Sequence, residues 1–171
     1  HYISLAAQQL DKPHTHADGS LCLSDETTRG AVTESVRQDL EAAYPKIKRV
    51  VLGNGIRVSA VGSREDKTGH DHSCEVCDEL IEKSGSPAGV LLGFGNTVAK
   101  AIAEDYPDAR IALTFEGIAA TPPRGIRAED NVVIRWVHDT YIDGVAGEHR
   151  AADWPFLDQL RGWAVVGGTL E

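Results

Sequence analysis

The stretch IKRVVLGNGIRVSAVG, residues 47–62, decides the fold. Two runs rich in β-branched residues, 47–53 and 56–62, flank Asn54-Gly55. A type I′ turn needs left-handed backbone at both central residues, and Asn followed by Gly tolerates that best. The stretch therefore predicts an antiparallel hairpin closed by a two-residue turn. Working upstream, residues 25–44 predict a helix. Val32, Val36, Leu40 and Ala43 recur at three- and four-residue spacing, Ser24 or Asp25 caps the start, and Pro45 closes the end. Residues 2–10 suit a short helix and 11–20 are turn-rich, so 1–24 is expected to be an irregular N-terminal segment.

Downstream, the polar stretch 63–73 leads into a helix over 74–83, with Val76, Leu80 and Ile81 turned inward. Gly85, Ser86 and Pro87 end it. Residues 90–94 read as a buried strand, followed by a helix from Asn96 to about Tyr106. Strands are expected at 111–115 and 132–137, a loop over 117–130, a helix over 153–163 and a last strand at 165–170. The expectation is a single α/β domain, 25–171: a mixed sheet with an N-terminal hairpin followed by βαβ units, with helices on the sheet faces.

Composition narrows the function classes. The 171 residues, 42% hydrophobic and 25% charged, suit one globular domain and exclude a disordered chain. No apolar run approaches the ~18 residues of a membrane helix. A net charge of −9 argues against a broad nucleic-acid surface, which needs clustered cations, but leaves room for a small-molecule or nucleotide substrate. A protein partner or a longer parent chain is also compatible. Three cysteines, Cys22, Cys74 and Cys77, make a poor disulfide framework, so a reducing compartment, the cytoplasm, is expected.

The densest set of soft ligands is His70-Asp71-His72-Ser73-Cys74-Glu75-Val76-Cys77. Two thiolates in Cys-x-x-Cys at a helix start converge on one ion, and His70 or His72 can complete a zinc shell. The same spacing serves a redox dithiol, or two partly buried structural cysteines beside a solvated loop. His14 and His16, two residues apart, face one side of an extended segment and with Cys22 form a second metal or nucleophile region. Asn96, at a helix start after Gly93-Phe94-Gly95, could offer backbone N–H groups to an anion. Arg124 and Arg127 in the long loop could grip a phosphate, so these three are the candidate substrate-binding residues.

The order helix, hairpin, helix, strand, helix, strand resembles the cytidine-deaminase-like fold over about two-thirds of the chain. Cys77-Asp78-Glu79 fits that family's Cys-x-Glu motif, whereas its Pro-Cys-x-x-Cys position here reads Gly93-Phe94-Gly95-Asn96-Thr97. The resemblance implies zinc held by Cys74 and Cys77, with His70 or His72 replacing the second cysteine pair. Glu75 or Glu79 would move the proton of a zinc-bound water. The expected function is a zinc-dependent, deaminase-like hydrolase acting on a nucleobase or nucleotide. The alternative is a non-catalytic binding or adaptor domain with structural cysteines.

Overall fold

Asp25 starts the first long element by the chemistry its side chain supplies. Its carboxylate accepts from the Thr28 N–H at 2.8 Å, satisfying one orphan donor of the helix α1, Glu26–Ala43. Val32, Val36 and Leu40 form the buried stripe of α1. The computed structural model describes residues 2–3, 21–52, 74–116, 120–137 and 153–171. The remaining elements are β1 (Tyr2–Ile3), β2 (Arg49–Leu52), α2 (Glu75–Ser84), α3 (Ala88–Ala103), β3 (Arg110–Phe115), β4 (Val132–Trp136), α4 (Asp153–Val166) and β5 (Thr169–Leu170). The fold is α/β, as the sequence predicts.

Every described strand is parallel, in the order β1-β2-β3-β4-β5. The mixed sheet and its N-terminal hairpin are thus not what the structure supports. β2 is the first run of that expected hairpin, but it pairs with β1 on one edge and β3 on the other, both parallel. The turn and the second run, 53–62, lie outside the described residues. An Asn-Gly signal is local; it carries no information about which strands fill the two edges of its neighbour.

Three further expectations change. Residues 90–94 are not a strand but part of α3, and Asn96 lies within that helix, so Gly93-Phe94-Gly95 open no helix N-terminus. A short apolar run suits a buried strand or a buried helix equally. Here the first half of α3 is buried almost all round, and a Cβ on Gly95 would meet Leu113 Cδ1 at 2.4 Å, so glycine lets α3 press onto β3. Residues 2–3, expected as helix, are β1. At the far end α4 runs to Val166, and Gly167 and Gly168, both at positive φ, turn the chain into a short β5.

The alternation of strand side chains separates two faces. Val50, Leu52, Ile111, Leu113, Phe115, Val132 and Ile134 join buried residues of all four described helices in one large core. Leu21, Cys22 and Leu23 belong to it, so the chain just ahead of α1 is part of the same fold. The opposite face carries a small belt, Val51, Ala112 and Val133, in register across three strands. On that second face Arg49 makes a two-pronged ion pair with Glu171, at 2.7 and 3.0 Å. Across a flat sheet β2 and β5 would stand ~14 Å apart, three strand spacings. The two long side chains therefore reach toward each other across β3 and β4 on this face. Among the described residues no helix is long and apolar enough to cross a membrane.

Candidate metal centre

β1 and β2 are parallel neighbours, and α1 and α2 follow them in the chain. Cys22 lies just before α1, and Cys74 caps α2, its sulfur accepting from the Cys77 N–H at 3.4 Å. Cys77 follows one turn later on the buried side of α2. The result brings together three residues from two places in the chain. Cys22 Sγ is 3.5 Å from Cys74 Sγ and 4.0 Å from Cys77 Sγ, and all three sulfurs lie within 4.8 Å of one another. The thiols are free. Their separations bracket the ~3.8 Å edge expected for sulfurs bound at ~2.3 Å to a tetrahedral zinc ion. Ser24 Oγ joins the cluster, 3.2 Å from Cys22, 3.3 Å from Cys74 and 3.1 Å from Cys77.

Electrostatics divides the three thiols. Burial pushes the Cys77 thiol up to about 12, and it donates to Ser24 Oγ. Burial also opposes the Cys74 thiolate, but hydrogen bonds from Ser24, the Cys77 N–H and the neighbouring thiols outweigh it and hold Cys74 below the ordinary thiol range. The Ser24 hydroxyl thus bridges the Cys77 and Cys74 sulfurs. Three deprotonated sulfurs this close would repel one another without a cation among them. The cluster can therefore take up a metal with release of protons, or stay protonated.

The other predicted site residues fall elsewhere. Glu75 and Glu79 are exposed on α2, while Cys77 on the same helix is buried. His14, His16, His70 and His72 lie outside the described residues. Asn96 pins the 120–131 segment to α3: its Nδ2 donates to the Arg127 carbonyl at 2.7 Å, and its Oδ1 accepts from the Glu129 N–H at 3.0 Å. The Arg124 N–H donates to the Ser84 carbonyl at 2.8 Å. Arg124 and Arg127, with Pro122, Pro123, Ile126 and Val165, line a groove of about 770 Å³ that reaches Gly85, at the opposite end of α2 from Cys74. The structure thus joins Asn96 with Arg127, joins Cys22 with Cys74 and Cys77, and keeps the two groups apart along α2.

Reading the sequence placed Cys22 in a separate region and saw Ser24 only as a cap. The only signal in the sequence was the spacing of Cys74 and Cys77; residues 2–3, which form the strand beside β2, read as helix, so nothing local tied Cys22 to that pair.

The molecule is a parallel α/β domain whose first two strand-to-helix connections meet in a three-thiol cluster. The chain belongs to the family described as Domain of unknown function (DUF4838), whose model matches residues 7–171. No curated protein and no solved structure matches it.

Proposed function

We propose that this chain is a metal-binding domain in which Cys22, Cys74 and Cys77 hold one zinc ion that fastens the β1–α1 connection to the β2–α2 connection. The observation that carries this reading is the convergence of three free sulfurs, 3.5 and 4.0 Å from Cys22, from two distant parts of the chain. Thiolate donors favour zinc and other soft ions over magnesium or calcium. Cys22 and Cys77 are buried, which suits an ion that holds structure together. Three thiols this close and unpaired also suit a reducing compartment such as the cytoplasm.

The zinc-dependent hydrolase, with a nucleobase or nucleotide as substrate, requires an open coordination position and a carboxylate beside it. Exposed Glu75 and Glu79 favour the clamp over that chemistry.

Elemental analysis of protein purified without added metal tests the zinc site that both readings share. About one equivalent of zinc per chain, lost in Cys77→Ser, is the expected result. Absence of metal, together with a triple serine variant that melts like the parent, would remove the site. A metal-dependent deaminase activity abolished by Glu75→Gln or Glu79→Gln would restore the hydrolase.

A further inference from the structure

We infer that Ser24 Oγ is the fourth donor of this centre, which makes it a three-thiolate, one-hydroxyl site. The inference rests on the zinc reading above and adds the identity of the remaining vertex. Ser24 Oγ stands 3.1, 3.2 and 3.3 Å from the three sulfurs. A hydroxyl serving one sulfur as an ordinary hydrogen-bond partner would sit close to that one and farther from the others. Near-equal approach to three sulfurs puts the oxygen over the middle of their triangle, at the apex of a trigonal pyramid. A tetrahedral ion with sulfurs at ~2.3 Å and oxygen at ~2.0 Å has S···O edges of ~3.5 Å. An outward movement of a few tenths of an ångström by Ser24 reaches that geometry.

The backbone under Ser24 is fixed on both sides. The Asp25 N–H donates to the Cys22 carbonyl at 3.2 Å, the Arg29 Nε–H donates to the Leu23 carbonyl at 2.8 Å, and Asp25 caps α1 through Thr28. The hydroxyl is therefore placed by a turn that the helix start already demands. Its protonation state also suits the site. Three thiolates and a divalent cation carry one net negative charge, and a neutral hydroxyl adds none. At the N-terminus of α2 the Cys77 N–H donates to the Cys74 sulfur at 3.4 Å, which eases that single negative charge. The ligand class is a soft divalent cation of tetrahedral preference.

Cobalt(II) loaded into the whole chain in place of zinc reports the donors directly through its absorption spectrum. Parent protein is expected to show thiolate-to-metal charge transfer and intense tetrahedral d–d bands. Ser24→Cys should add a fourth thiolate, raising charge transfer and moving the d–d bands to longer wavelength. Ser24→Thr, which keeps the hydroxyl, should retain the parent spectrum. Ser24→Ala should change the d–d bands and weaken cobalt binding by at least about 10-fold, a loss found even for groups that only orient a ligand. If Ser24→Ala binds cobalt with parental affinity and an unchanged spectrum, another donor holds the fourth vertex and the inference fails while the three-thiolate reading stands. If the parent itself shows no thiolate-to-cobalt charge transfer, both fall together.

Discussion

Two stretches of irregular chain are held in place by opposite means. The segment ahead of α1 and the cap of α2 meet through three sulfurs and one hydroxyl. The segment 120–131, between β3 and β4, is held by amide chemistry. Asn96 bonds the Arg127 carbonyl and the Glu129 N–H, Asn131 donates to the Ala99 carbonyl at 2.8 Å, and the Trp163 indole donates to the Ala120 carbonyl at 2.8 Å. In the second stretch each named donor meets an oxygen and the geometry is complete within the protein. In the first, thiols face thiols, which are poor donors and poor acceptors. Polar density alone does not mark a site; polar groups that satisfy one another badly do.

The largest expected effect comes from emptying the first stretch. For an ion present at a thousand times its dissociation constant, chelation or Cys77→Ser removes about 4 kcal/mol, or roughly 8–16 °C of melting temperature for a domain of this size. Differential scanning calorimetry with and without chelator measures it. The metal should also leave as pH falls, because each ligand must be deprotonated to bind.

The second stretch should respond to crowding. A Cβ on Gly162 would meet Pro122 Cγ at 2.4 Å, so Gly162→Ala pushes α4 off the 120–131 segment. A cost of about 1–3 kcal/mol is expected, read by urea denaturation, with bound metal unchanged. Asn96→Ala removes two hydrogen bonds at a half-buried position and should cost about 1–2 kcal/mol. If it also lowered metal content, the two stretches would be coupled and the contrast between them would not hold.

The smallest effect comes from an exposed ion pair. Lys48 and Asp108 pair at 3.0 Å on the surface. The bond holds Asp108 below its ordinary 3.8 and Lys48 above its ordinary 10.5. Stabilisation from the depressed carboxylate is present above 3.8 and lost as pH falls through its folded value. The contribution of the raised ammonium is present below 10.5 and lost as pH rises through its folded value. The melting-temperature difference between parent and Asp108→Asn should be flat at neutral pH and close at both extremes.

Elements with chemical punctuation were legible in the sequence. α1 carries Asp25 at its start and Pro45 beyond its end, α2 ends at Gly85 in the left-handed conformation, and β3 and β4 are apolar runs bounded by turn residues. α3 was hidden because its first half, Val90 to Phe94, has no polar face from which a period can be read. Pairing of β2 was hidden for another reason: both of its partners are remote in sequence, and local turn chemistry is silent about them. The centre was half legible. Cys74 and Cys77 announce themselves by spacing, whereas Cys22 joins them only through the adjacency of β1 and β2.

The Arg49–Glu171 pair carries one more lesson, about cause and effect. Its side chains are 50% and 36% exposed, and an exposed pair contributes only ~0–1 kcal/mol. That is too little to set how four hydrogen-bonded strands twist, which the backbone itself decides, so the ion pair registers the relation of β2 to β5 and does not impose it. Positions 49 and 171 thus work as a gauge. Spectroscopic labels placed there would report a change in the sheet's twist as a change in their distance.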